Sequence, residues 1–235
     1  MAHFQFRDFV VHHENSPLKV NTDAILLGAA VQISKQNAKV LEVGTGNGAI
    51  SLMLASRFTS AQITAIEPHL GAFGDAKLNF ELSNFASRLS VLNQKLSEHD
   101  HKNCYDIIVS NPPYFLDSIQ SEDKQINEAK HLSKSKFIDL LGQMTLRLNK
   151  FGQLWLILNP QSAQIAQSIL NSKGMYCTVK WIIHSNPYKL NKRWLLCFEW
   201  QLQNFTEKEF FIRSKDGLFS EDYRTLAGAF HYNMI

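Results

Sequence analysis

The stretch Lys39–Gly48, KVLEVGTGNG, decides how this chain folds. KVLEV is a short run of aliphatic residues, and it reads as a strand buried on both faces. GTGNG ends it at once. Glycines at a strand end let the backbone turn sharply and let a ligand come close to it. The residues that follow, GAISLMLASRF at 48–58, carry Ile50, Leu52, Met53, Leu54 and Phe58 and suit a buried helix. Strand, glycine turn and helix together open a right-handed βαβ unit.

The pattern repeats outward from there. Short apolar runs at 62–66, 89–92, 105–109 and 154–158 read as strands. Helix-like segments at 71–85, 135–148 and 161–173 alternate with them, and the helix over 135–148 spaces Phe137, Leu140, Leu141, Met144 and Leu148 as one apolar stripe. The runs 176–184 and 194–201 have no helix between them and read as a hairpin around a long loop, 185–193. The expectation is an α/β fold with a doubly wound, mostly parallel, seven-stranded sheet that ends in a C-terminal antiparallel hairpin. That is the Rossmann-like shape of class I methyltransferases. Residues 1–35 precede the first core strand and are expected to cap the ligand site of a single domain spanning 36–235.

Bulk composition narrows the function classes. The chain has 235 residues, 45% of them hydrophobic and 19% charged, which describes a globular protein. A net charge of +3 permits a polyanionic partner without arguing for one. The three cysteines, Cys104, Cys177 and Cys197, lie beside or within apolar stretches and read as reduced core thiols. His12-His13 and His99-x-His101 lack cysteine partners at ligand spacing, so no metal site is expected. The N-terminal residues contain no apolar core for a signal peptide, and Ala24–Val31 is too short to span a bilayer. A cytoplasmic protein without a membrane partner is the expectation. Nothing in the sequence sets an oligomeric state, and a monomer is compatible with it.

Two features carry chemistry. In the first, Glu42 precedes Gly44, Gly46 and Gly48, and Glu67 ends the second strand, where an acid can accept both hydroxyls of a ribose. Dinucleotide enzymes share this pairing. The G-x-G-x-G spacing differs from their G-x-G-x-x-G, however, and a carboxylate at Glu42 would repel a pyrophosphate while suiting an ammonium or sulfonium. The cofactor expected is S-adenosyl-L-methionine rather than NAD. The second feature is Asn111-Pro112-Pro113-Tyr114 at the end of the fourth strand. Proline cannot continue the ladder, so the strand stops beside the ligand crevice. The Asn111 side-chain oxygen and the Pro112 carbonyl can each accept a hydrogen bond from one NH2 group and turn its lone pair toward a methyl donor. Pro113 stiffens the loop, and Tyr114 can stack on a planar substrate.

The EVGTGNG loop, Glu67 and NPPY together resemble the amino-methyltransferases that modify nucleobase or glutamine nitrogens. The N-terminal FQFRDF at 4–9, LKVNTD at 18–23 and Ala129-Lys130-His131-Leu132 resemble, more narrowly, the bacterial valine-tRNA adenine-N6 methyltransferases. The likeness runs from about residue 4 to about residue 200. It implies methylation at N6 of the adenosine just 3′ of the anticodon, position 37, with tRNA as the partner. It also implies that Lys19–Asp23 closes over the methionine end of the cofactor, with Thr22 taking the carboxylate and Asp23 the ammonium. Read locally, both residues also fit the start of a helix over AILLGAA. The chain departs from the family with lysine at Lys130, where arginine is usual, with Asn93-Gln94-Lys95-Leu96 after the third strand, and in the tail from Ala227 onward. Lys95 and Leu96 are the expected neighbours of the adenine.

Candidate RNA contacts are Lys130, His131, Lys134 and Lys136, together with Lys189, Lys192 and Arg193 in the hairpin loop, where basic and aromatic residues interleave. The same loop reads as a solvated turn with Trp194 facing the core, and His131 as a polar residue at a helix start. The rival functions are methylation of a release-factor glutamine, methylation of guanine N2 in ribosomal RNA, a nicotinamide-dependent oxidoreductase, and a nucleic-acid-binding module without catalysis.

Overall fold

The structure is a computed structural model that describes residues 2–99, 105–112, 124–189 and 193–232, and for 124–132 the backbone alone. Strands β1 (His3–Gln5) and β2 (Val10–His12) form a small antiparallel hairpin, followed by helix α1 (Thr22–Ala30). Then come β3 (Lys39–Val43), α2 (Ala49–Arg57), β4 (Gln62–Ile66), α3 (Leu70–Leu82), β5 (Leu89–Leu92) and β6 (Tyr105–Ser110). The chain continues through α4 (Lys124–Arg147), β7 (Leu148–Leu158), α5 (Pro160–Ser172), β8 (Tyr176–His184), β9 (Arg193–Glu199), β10 (Thr206–Phe211) and α6 (Glu221–Ala227).

The main sheet has the order β10-β8-β9-β7-β6-β3-β4-β5. From β7 to β5 all pairings are parallel, while β9 is antiparallel to both β7 and β8. The doubly wound sheet and its antiparallel hairpin are therefore present as expected. The strand count is corrected from seven to eight, because β10 pairs in parallel with β8 at the edge. Four of its six residues are exposed, TEKEFF offers no apolar run, and its charges suit an edge strand.

Period-two alternation fills both faces of the sheet. Leu154, Leu156 and Leu158 of β7 join the core cluster that includes Phe137, Leu141 and Met144 of α4. Trp155 and Ile157 join the other, with Leu26 and Leu27 of α1 and Leu52 and Met53 of α2. Two further boundaries are corrected. Helix α4 begins at Lys124, not near Ser135, because its first half is mostly polar and offers only Ile126, Ala129 and Leu132 as a thin apolar signal. Strand β7 begins at Leu148 and not at Leu154. No helix among the described residues is long and apolar enough to cross a membrane.

Candidate active site

Strand order reverses between β3 and β6, the position where open α/β sheets hold ligands. The glycine loop leaves β3 on one side of this point, and Asn111 leaves β6 on the other. One hydrogen bond ties the two ends: the Ser110 hydroxyl donates to the Val43 carbonyl, 2.7 Å, one residue before Gly44. Asn111 is half-buried and Pro112 buried. Pro113 and Tyr114 lie outside the described residues.

Gly44 and Gly46 have φ values of +73° and +59°, a backbone that side chains disfavour. A Cβ built on either meets nothing within 4 Å, so open space lies against the loop. Gly48 differs. A Cβ there would sit 2.6 Å from the Phe80 ring, so this glycine serves the close approach of α2 to α3 and not the open space.

Glu42 lies at the root of the loop and is 1% exposed. One carboxylate oxygen accepts from the Thr45 hydroxyl, 2.7 Å, and from the Ser51 backbone N–H, 3.0 Å, and the Ser51 hydroxyl bonds it as well. The other oxygen is buried without a hydrogen-bond partner. Burial pushes the carboxyl up to about 7 against the pull of the Ser51 and Thr45 hydrogen bonds. Glu42 thus braces the loop and the start of α2 instead of standing open to the crevice.

Glu67 ends β4 as expected. Its two oxygens accept from the backbone N–H groups of Gly46 and His69, each at 2.8 Å. A carboxylate has about four acceptor positions, so both oxygens keep capacity for a pair of hydroxyls, and the backbone fixes their direction. Lys95 is exposed, and Leu96 packs into the core cluster that holds Val43 and Ile66.

The N-terminal segment crosses the loop, and two residues that sequence reasoning missed hold it there. Asn79 of α3 is 1% exposed and accepts from the His12 N–H, 2.8 Å. Its amide donates to the carbonyls of His12, 2.7 Å, and Asn47, 2.8 Å. Asp75 accepts from the backbone and side chain of Asn15 and from the Ser16 hydroxyl at 2.7–3.0 Å. Asn47 then donates to the Leu18 carbonyl, 3.2 Å, which lays residues 15–18 against the loop. Asp75 and Asn79 are four apart, on the same buried stripe as Ala72, Ala76 and Phe80. Polar residues on an apolar helix face are the signal that could have found them. A third missed residue is Arg147, fully buried at the end of α4. Its guanidinium donates to the carbonyls of Leu96 and His99, tying α4 to the turn after β5.

The start of α1 also differs from expectation. Asn21 is the N-cap, accepting from the Ala24 N–H at 2.9 Å, and Asp23 lies in the first turn after it. Asp23 instead pairs with Arg193 at the start of β9, Nε to Oδ2 at 2.8 Å. Lys134, Lys136 and Lys189 are exposed, Lys192 lies outside the described residues, and the side chains of Lys130 and His131 do as well. Trp194 is buried to 9% exposure with Lys180 over its ring, in line with the core-facing reading. Among the described residues no group of three His, Cys, Asp or Glu side chains is placed to hold a metal.

A glycine loop, a strand-end acid and an Asn-Pro terminus gathered at the switch point of a doubly wound sheet define a class I methyltransferase. Solved structures with this fold include a predicted O-methyltransferase from Agrobacterium tumefaciens, with a TM-score of 0.70 at 20% identity over 88% of this chain and 96% of that one. A methyltransferase from Pyrococcus furiosus gives a TM-score of 0.56 at 22% identity over 81% and 88%. The methyltransferase small domain model matches residues 19–190. Proteins named tRNA1(Val) (adenine(37)-N6)-methyltransferase match nearly end to end. The one from Phocaeicola vulgatus is 33% identical over 99% of this chain and 98% of its own, and the one from Pedobacter heparinus is 32% identical over 95% of each. The chain belongs to this family of adenine-N6 tRNA methyltransferases, within the methyltransferase small-domain group.

Proposed function

We propose that this protein transfers a methyl group from S-adenosyl-L-methionine to N6 of adenosine 37 in tRNA1(Val). The observation that carries the reading is the juxtaposition of Asn111 and the open glycine loop, joined through the Ser110–Val43 hydrogen bond. Full-length relatives named for that reaction support the choice of substrate.

The residues present fit the cofactor. The open space against Gly44 and Gly46 admits a ligand to the backbone, and Glu67 presents two oriented oxygens to a ribose. Thr22 and Asp23, at the start of α1 just after the segment that crosses the loop, would hold the amino-acid end. When bound, S-adenosylmethionine supplies an electrophilic methyl on a sulfonium. An exocyclic amine is a poor nucleophile because its lone pair is delocalised into the purine. Asn111 Oδ1 and the Pro112 carbonyl accept its two N–H bonds and orient that lone pair. The amine so oriented would take the methyl that the bound cofactor supplies, with the thioether as leaving group, and one amine proton would pass to water. Orientation and electrostatics thus carry the catalysis, and no strong base is needed.

Labelled S-adenosylmethionine and unmodified total tRNA test this, followed by nucleoside analysis. Label in N6-methyladenosine is the expected result. Label in another nucleoside, or transfer to a release factor and not to RNA, overturns the substrate assignment.

A further inference from the structure

The Asp23–Arg193 ion pair joins two parts of the molecule that the proposed function keeps apart. Asp23 stands in the first turn of α1, where the proposed function puts the amino-acid end of the cofactor. Arg193 opens β9, at the base of the loop expected to meet RNA. The two are 170 residues apart in sequence and 2.8 Å apart in space, with side chains 17% and 25% exposed. At that exposure each group is still within reach of a ligand. The same loop makes a turn where it leaves β8. Asn186 accepts from the backbone N–H groups of Tyr188 and Lys189, each at 2.9 Å, and Tyr188 is left 75% exposed. An exposed aromatic beside a lysine can serve as a stacking platform for unpaired bases.

We infer that Arg193 is a positioning residue that couples the two ligands: it is held by Asp23 until a cofactor ammonium takes that carboxylate, and is then released toward an RNA phosphate. This rests on the proposed function. The logic is one of charge. Two cations at one carboxylate repel each other, so a bound ammonium weakens the hold on Arg193. A phosphate that draws Arg193 away removes a competitor of the ammonium at Asp23. The effects are reciprocal, as linkage requires, and couplings of this kind amount to roughly 5–150-fold in affinity. Arg193 suits the second partner because its planar guanidinium can pair with phosphate in a fork.

The test measures binding rather than turnover, with an anticodon stem-loop RNA of valine tRNA as probe. S-adenosylhomocysteine, which carries the ammonium, should tighten RNA binding about 5-fold or more, and 5′-methylthioadenosine, which lacks the amino-acid end, should not. Asp23→Asn should bind RNA more tightly than the wild type without any cofactor and show no further gain with S-adenosylhomocysteine. Arg193→Met should bind S-adenosylhomocysteine more tightly alone and lose the coupling, while Arg193→Lys should retain part of it. A purely structural pair would give no such gain of affinity on breaking it. The inference is overturned if both ligands bind the wild type independently, if 5′-methylthioadenosine acts as S-adenosylhomocysteine does, or if both Asp23→Asn and Arg193→Met only lose affinity. Absence of RNA binding under all conditions would overturn the proposed function itself and the coupling with it.

Discussion

At the β3–β4 end of the crevice, the acids are committed before any ligand arrives. Glu67 is aimed by two backbone N–H groups, Glu42 is locked under the loop, and Asn79 and Asp75 fasten the N-terminal segment across it. At the β8–β9 end the polar groups face water: Tyr188 is 75% exposed, and Lys189 beside it is exposed as well. The first region is part of the core and can exist only if the sheet has formed. The second is displayed on a turn and adds little to stability. A small ligand must be enclosed by oriented groups whose desolvation the fold has already covered. A long polyanion is instead met by solvated cations, each worth little alone.

The largest expected effect separates chemistry from binding within this contrast. Asn111→Ala should lower turnover about 10²-fold or more, while S-adenosylhomocysteine affinity stays within a few-fold. Unchanged turnover in a folded variant would remove Asn111 from its orienting role. Glu67→Ala should do the reverse and weaken S-adenosylhomocysteine binding about 10–100-fold, since charge-assisted bonds to two hydroxyls are lost. Equal affinity by calorimetry would place the ribose elsewhere.

Effects on stability come next. Asn79→Ala leaves buried donors and acceptors of His12 and Asn47 unmatched, and should destabilise the fold by roughly 1–3 kcal/mol. A urea midpoint identical to that of the wild type would mean the N-terminal segment is not fastened as described. Glu42 predicts a pH dependence. Its carboxyl rises from 4.5 to about 7 on folding, so the folded state binds the proton more tightly. The stability it contributes is fully present below pH 4.5 and is lost as the pH rises through about 7, with a gradient of up to about 1.4 kcal/mol per pH unit. Glu42→Gln should flatten that gradient, and a gradient of the same size in the variant would assign it to another group. The smallest effects belong to the exposed side. Lys134→Gln and Lys136→Gln should each weaken RNA binding a few-fold and reduce the salt slope by about 0.7. A slope that does not move would take α4 out of the RNA interface.

Legibility in the sequence follows the same division. Strands β3, β4, β5 and β8 match the expected residues at both ends. Their runs are apolar and stop at Gly44, Glu67, Asn93 and Ser185, where polar or glycine residues end the burial. The places of the glycine loop, Glu67 and Asn111 at strand ends were legible because glycine and proline end a strand and a charged residue ends its burial. What was missed acts at a distance. Asp75 and Asn79 serve a segment about 60 residues upstream, Arg147 serves the turn after β5, and Asp23 meets Arg193 across the molecule. Strand β10 escaped because an edge strand needs only one apolar face, and here that face, Thr206, Lys208 and Phe210, carries a single apolar residue.

The central claim is that the oriented nucleophile is N6 of one adenosine. Single-turnover methyl transfer to two valine-tRNA transcripts tests it most directly, one with adenosine and one with guanosine at position 37. The expected result is stoichiometric labelling of the first as N6-methyladenosine and none of the second. Equal labelling of both transcripts would contradict it.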